Sequence, residues 1–187
     1  MPCSSRCCAT SSRAEGSGAG TIEATLAALA EADLDEVLDL NERSTPHVGP
    51  VDRDRLASIV EECTLALVAR DAGGLAGFVL VLGPGAAYDS PNYRWFAERY
   101  DDFRYVDRIA VDPGRHRGGL GRRLYNEVFD HARREGSPVV TCEVNLEPPN
   151  PVSQRFHASL GFVEVGRQRT YGDTVAVQLL ERPVAAP

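Results

Sequence analysis

The sequence contains no lysine: all 20 of its basic residues are arginine, set against 27 Asp and Glu for a formal net charge of -7. A chain this acidic lacks the cationic face that grips nucleic acid or an anionic membrane, so neither is expected as a partner. Long apolar runs are missing as well. The longest, Leu75 to Leu82, has the length of a buried strand and falls far short of the ~20 residues a membrane helix needs. The N-terminus lacks the apolar stretch of a secretory signal. Cysteine is scarce and odd in number, five in all, with Cys3, Cys7 and Cys8 crowded together and the others in strand-like segments. That pattern argues against a disulfide framework. The early thiols have no companion His or Cys pair at zinc spacing, so no metal is expected and the compartment reads as reducing cytoplasm. Arginine without lysine leaves a surface suited to phosphate and carboxylate recognition.

What is present is ordinary globular material. The 187 residues are 43% hydrophobic and 25% charged, enough for one domain with a full core. Residues 1–20, rich in Ser, Gly, Ala and Cys, are expected to form a flexible leader, and 21–187 a single domain. A strand around Thr21 to Leu26 leads into a helix bearing Leu34, Val37, Leu38 and Leu40. After a break at Thr45 to Pro50 comes a second helix with Leu56, Ile59 and Val60. Cys63 to Ala69 and Leu75 to Leu82 form a hairpin around an Asp/Gly turn. Gly83 to Arg104 has no regular pattern and carries Tyr88, Tyr93, Trp95, Phe96 and Tyr100, which suit either a binding loop or a cover for the sheet. Then follow a strand (Tyr105 to Val111), a helix within Arg117 to Arg134 that ends at Gly136, a strand (Pro138 to Val144), a short helix (Pro151 to Leu160) and a hairpin of Phe162 to Val165 with Thr174 to Leu180. The order predicts an α/β fold, a mixed sheet of about seven strands with helices on both faces.

The chemistry concentrates between Val111 and Leu124, where a strand ends and a helix begins inside a loop of glycine and arginine. Such a loop turns backbone N–H groups and a helix N-terminus toward an anion. The P-loop pattern finds its glycine spacing at Gly114 and Gly119 but meets Leu120 and Gly121 where Lys and Ser/Thr are needed. The dinucleotide fingerprint fits Gly119 and Gly121, then meets Leu124 at its third glycine. The segment His116-Arg117-Gly118-Gly119-Leu120-Gly121 instead resembles the acetyl-CoA pyrophosphate loop of the GNAT N-acetyltransferase superfamily, Arg/Gln-x-x-Gly-x-Gly/Ala, with His116 departing from its first position. Downstream, Asn150, Ser153, Phe156, His157, Leu160, Gly161 and Phe162 resemble the family's second signature, and Cys142-Glu143-Val144 stands on the strand before it. The resemblance covers about Thr21 to Leu180.

The resemblance implies a GNAT acyl-CoA fold in which the central parallel strands, here Tyr105 to Val111 and Pro138 to Val144, splay apart to admit the pantetheine arm. Backbone groups of Ile109, Ala110 and Val111 would pair with that arm. His116, Arg117, Gly118, Gly119, Leu120, Gly121 and Arg122 would hold the pyrophosphate. Asn150 and Ser153 would face the arm, an ordinary N-cap being the other reading of Asn150. The implied activity is acetyl transfer from acetyl-CoA to a primary amine by direct attack in a ternary complex; a CoA-binding sensor or scaffold module is the alternative. Glu143 or Asp107 would be the base. His157, standing where the family commonly has tyrosine, would be the acid unless it is a solvated helix histidine. Cys142 reads as inert packing. The acceptor, a small-molecule or peptide amine, would meet Asn41 to Val51 and Tyr88 to Tyr100, with Glu42, Tyr88, Tyr93 and Trp95 as contacts. Rings with Asp89, Glu98, Asp101 and Asp102 nearby suit a cationic amine. Exposed strand edges near the C-terminus leave room for a homodimer.

Overall fold

The structure, a computed structural model, describes residues 24–45, 47–170 and 172–184, and within these the side chains of 116–118 are excepted. The expected leader with its three cysteines, and the start of the expected first strand, lie outside the described residues. The elements run β1 (Thr25–Ala28), α1 (Leu34–Arg43), α2 (Arg53–Glu62), β2 (Cys63–Asp71), β3 (Gly74–Leu82), α3 (Pro91–Ala97), β4 (Arg104–Val111), α4 (Leu120–Arg134), β5 (Val139–Glu147), α5 (Pro151–Ser159), β6 (Val163–Thr170) and β7 (Val175–Pro183). They build the expected mixed α/β architecture: a seven-stranded sheet in the order β1-β2-β3-β4-β5-β7-β6. Every neighbouring pair is antiparallel except β4 and β5, which run parallel.

Helices cover both faces. On one, α4 lays Leu120, Leu124, Tyr125, Val128, Phe129 and Ala132 against Val79, Val81, Val106 and Val140. That spacing is the 3-4 rhythm of an amphipathic helix. On the other, α1 and α2 bury Val37, Leu40, Leu56 and Ile59 over Phe78 and Leu80. Asp52 starts α2 by accepting a 2.8 Å hydrogen bond from the Arg55 amide.

One element was not expected. Within the stretch that looked irregular, Ser90 caps α3 and Pro91 takes its first position. Proline there is a start signal, since its missing N–H would have no intrahelical partner, and seven residues are too few to show periodicity. Tyr93 and Phe96, 3% and 0% exposed, turn inward to join Phe103, Tyr105, Val177 and Leu179 in a third core cluster. For these rings the sheet-covering reading holds. The last hairpin is also longer than expected, β6 reaching Thr170 and β7 reaching Pro183.

Candidate active site

The parallel ladder between β4 and β5 consists of Arg104↔Val140, Tyr105↔Thr141 and Val106↔Cys142, and there it stops. Both strands run on, β4 to Val111 paired only with β3 and β5 to Glu147 paired only with β7. The central strands therefore splay like a fork. Two irregularities bend them. In β4 the register with β3 jumps between Arg108 and Val106, leaving Asp107 as the extra residue of a bulge, and in β5 it jumps between Asn145 and Glu147. Bulges raise local twist and re-aim side chains, which is what a fork needs.

Asp107 and Glu143 are the first residues past the last ladder pair, side by side where the fork opens. The Tyr105 hydroxyl donates to Glu143 Oε2 at 2.7 Å, and the Tyr88 hydroxyl donates to Asp107 Oδ1 at 2.7 Å. Asp107 Oδ2 faces Arg108 Nε at 3.3 Å, with only 5% of the Asp107 side chain exposed. Burial pushes the Glu143 carboxyl from the usual value near 4.5 up to about 7; the charge of Asp107 adds to the rise, and hydrogen bonds from Tyr105 and Asn92 oppose it. Burial also raises Asp107, against the pull of Arg108 and Tyr88. Arg108 does more: its Nη1 donates to Asn41 Oδ1 at 2.8 Å and to the Gly49 carbonyl at 2.6 Å, tying the α1–α2 connection to β4. Tyr105, Asn92 and Arg108 were not among the expected site residues. Tyr105 was legible, since the alternation of a strand puts it on the same face as Asp107; Asn92 was not, because α3 was not.

The glycine loop is braced from below. Asp112 accepts from the Gly114 amide at 2.9 Å and pairs with Arg43 at 2.8 Å, while Arg115 reaches the Leu75 carbonyl at 2.7 Å and Asp71 at 3.1 Å. Residues 113–118 form a tight 3-10 turn, and Gly119, at φ 71°, swings the chain into the fifteen-residue α4. That left-handed angle favours glycine. Gly121 sits against the ring of Phe156, 3.2 Å from where a Cβ would stand. Arg122, expected at the pyrophosphate, donates instead to the Ser159 hydroxyl at 3.1 Å. The expected roles of the His116, Arg117 and Gly118 side chains lie outside the described residues.

On α5, Asn150 is the N-cap, its Oδ1 accepting from the Ser153 amide at 3.1 Å. His157 departs from both readings given to it. It is 4% exposed, so it is not solvated. Its Nδ1 lies 2.8 Å from the Ser153 carbonyl and its Nε2 2.6 Å from the Tyr125 hydroxyl. A carbonyl can only accept, so the proton sits on Nδ1 and Nε2 accepts from Tyr125. Burial lowers the pKa of this ring. A neutral imidazole with both nitrogens engaged is a packing group, not a proton donor. Cys142 is buried against Tyr125, and burial holds its thiol protonated.

The expected acceptor contacts scatter. Tyr93 is buried, its hydroxyl bonded to the Gly83 carbonyl at 2.9 Å. Trp95 lies against Gly166 of β6 with Arg99 over its ring at 4.0 Å, and Arg55 lies 5.0 Å over Tyr88. The protein's own guanidinium groups thus occupy these rings. Asp89, Glu98 and Asp102 pair with Arg55, Arg99 and Arg104. Only Tyr88 reaches the carboxylates; Glu42 is exposed on α1, and its neighbour Asn41 is what touches the fork through Arg108.

A fork between parallel strands, entered beside a glycine-led helix N-terminus, coincides with a family match. The model of the Acetyltransferase (GNAT) family fits residues 33–162. The chain belongs to the GNAT family. Over 75 residues it is 36% identical to L-methionine sulfoximine/L-methionine sulfone acetyltransferase of Salmonella typhimurium, a match covering 39% of this chain and 43% of that enzyme. Over 74 residues it is 39% identical to the N-alpha-acetyltransferase RimI of Mycobacterium tuberculosis, covering 39% and 44%. The matches thus span less than half the length of these curated relatives. Among solved structures, the ribosomal-protein-S18-alanine N-acetyltransferase of Escherichia coli shares the GNAT fold at a TM-score of 0.67 and 22% identity, covering 88% of this chain and 96% of that one. The yncA protein of Salmonella typhimurium, solved with its cofactor acetyl-CoA, does so at 0.63 and 23%, covering 88% and 97%.

The GNAT site fits acetyl-CoA on this chain's own geometry. The facing edges of β4 and β5 past Val106 and Cys142 have no ladder between them, so an extended amide-bearing arm can lie there as a strand would. The N-terminus of α4, led by Gly119, would hold a pyrophosphate by its backbone N–H groups.

Proposed function

We propose that the protein is an N-acetyltransferase that moves the acetyl group of acetyl-CoA to a primary amine by direct attack in a ternary complex, with Glu143 as the base. The observation that carries this reading is a half-buried carboxyl, its pKa raised to about 7, placed where the fork between the parallel strands opens. Acetyl-CoA supplies an activated thioester carbonyl. Backbone groups of Ile109, Ala110 and Val111 hold the arm, and Gly119, Leu120 and Gly121 present backbone N–H groups to the pyrophosphate.

An aliphatic amine of pKa ~10 arrives mostly as ammonium and must lose a proton before it can attack. A base whose pKa lies near neutrality is ionised at working pH and still binds the proton it removes. Glu143 meets both conditions, and Tyr105 fixes the orientation of its Oε2. Asn150 holds the first turn of α5 beside the fork. No acid role is given to His157, and a departing thiolate of ordinary pKa ~8.5 needs little help at neutral pH.

The acceptor enters from the side of α1, α2 and Tyr88, toward the Asp107 and Glu143 carboxylates, which favour a cationic amine. Relatives named for L-methionine sulfoximine and sulfone and for an alanine of ribosomal protein bS18 put a small molecule or a peptide within this reading. The reading includes a cytoplasmic setting; no helix among the described residues is long and apolar enough to cross a membrane. The test is turnover of acetyl-CoA against a panel of amines, with Glu143→Gln alongside. Loss of turnover with acetyl-CoA binding retained supports the reading. Full activity in the variant removes Glu143 from it.

A further inference from the structure

Mechanism alone does not explain why two carboxylates share the fork. Asp107 lies in the β4 bulge, one residue past Val106 as Glu143 is one past Cys142, so the two stand level where the fork opens. The two are not equivalent. Asp107 is held by a tyrosine hydroxyl and faces a guanidinium at 3.3 Å, with Arg55 of α2 also within its field. Glu143 is held by the Tyr105 hydroxyl and by Asn92 of α3, both neutral. When buried carboxylates cannot both ionise, the one beside the cation keeps its charge and the other keeps the proton.

We propose that Asp107 is a positioning residue for the base: held as the anion by Tyr88 and Arg108, its charge sets the pH at which Glu143 gives up its proton. The proposal rests on the reading of Glu143 as base for its consequence, but not for its geometry.

The groups facing the pair are accounted for. From β4 they are Tyr105, Asp107 and Arg108; from the segment before α3, Tyr88; from α3, Asn92; from α2, Arg55; from the start of β2, Cys63; from β5 and α4, Cys142 and Tyr125. Burial holds Tyr88, Tyr105, Tyr125, Cys63 and Cys142 in their neutral forms. Of those groups, only Asp107, Arg108 and Arg55 bring charge near Glu143 at neutral pH. Arg55 pairs with Asp89, and Arg108 pairs with Asp107 and is tied to Asn41 and Gly49. Asp107 is therefore the anion that opposes ionisation of Glu143.

The device has a functional sense. A cationic acceptor brings a positive charge to the mouth of the fork and offsets Asp107, so Glu143 ionises when there is a proton to take. With the site empty the proton stays on Glu143 for a larger share of the time, which lowers the cost of a second charge in the fork.

The test is a titration of Glu143 itself, followed by NMR of carboxyl-labelled glutamate, with its resonance identified by its disappearance in Glu143→Gln. In Asp107→Asn, which keeps the shape, the midpoint is expected to fall by about one pH unit, a tenfold weaker hold on the proton. Tyr88→Phe, which loosens Asp107 without removing its charge, should move it less. A midpoint unchanged or raised in folded Asp107→Asn overturns the proposal. Because the measurement needs no acceptor, it stands apart from turnover: loss of activity in Glu143→Gln tests the base, and the NMR midpoint tests Asp107.

Discussion

Replacing Glu143 by Gln should abolish the proposed acetyl transfer and leave the folded protein more stable. The carboxyl titrates near 4.5 in an unfolded chain and at about 7 in the native fork, raised first by burial and then by Asp107. Between those values the native state binds the extra proton, so stability falls as pH rises and has fallen fully above pH 7. The gap of 2.5 between the two values corresponds to about 3 kcal/mol at ~1.36 kcal/mol per pH unit, an upper bound for a buried group. Gln keeps the acceptor for the Tyr105 hydroxyl and carries no charge to bury. At pH 8 the variant should therefore unfold at a temperature higher by up to ~6–12 °C, taking ~2–4 °C per kcal/mol for a chain of this size. The advantage should disappear as pH drops toward 4.5. Turnover should fall by roughly 10²–10⁴, the usual contribution of a general base. Scanning calorimetry across pH 4.5 to 8, with an acetyl-CoA turnover assay, reads both. A variant equally stable or less stable at pH 8, with the same pH dependence as the parent, would refute the claim that Glu143 carries an unfavourable buried charge.

Gly121→Val places a side chain against the Phe156 ring, already 3.2 Å from a Cβ there, and should weaken acetyl-CoA binding more than about tenfold by calorimetric titration, because overpacking displaces the start of α4. His157→Phe leaves the Tyr125 hydroxyl without its acceptor and should cost ~1–3 kcal/mol in chemical denaturation, while turnover of the folded variant changes by less than about tenfold. A larger fall in kcat with normal stability would restore His157 to the chemistry. Gly77→Ala brings a Cβ within 2.9 Å of the Ala110 carbonyl on β4 and should lower stability by ~1–3 kcal/mol, read as the denaturation midpoint.

The sequence by itself determined the parts that rest on local chemistry. The glycines of the α4 entry declared an anion loop, because only a glycine-lined turn lets backbone amides converge, and Gly119 does adopt the left-handed angle such a turn uses. The strand and helix order predicts a mixed sheet, and the family resemblance implies its parallel pair, which stands at β4 and β5 with a helix between them returning the chain in the same direction. Asn150 followed by Pro151 marked a helix start in sequence and is one in space. The α3 helix stayed hidden because seven residues, barely two turns, opened by a proline have no periodicity to read.

The tertiary structure decided what needs distances between residues far apart in the chain. Tyr105 and Glu143, 38 positions apart, meet because the parallel ladder sets Tyr105 level with Thr141, two residues from Glu143 on the same face, and Tyr88 reaches Asp107 because the stretch before α3 folds back over the sheet. The sequence offers Asp107 and Glu143 each as a candidate base; that they stand level at the opening of the fork, Asp107 within a bulge, is a matter of register, and no pattern in the sequence announces a bulge. His157 looked the same in sequence whether solvated or catalytic; burial and Tyr125 made it neither. The aromatic cluster suggested a cation site, and arginines from the same chain already fill it. Charge and ring content are properties of composition, but which partner takes them depends on packing.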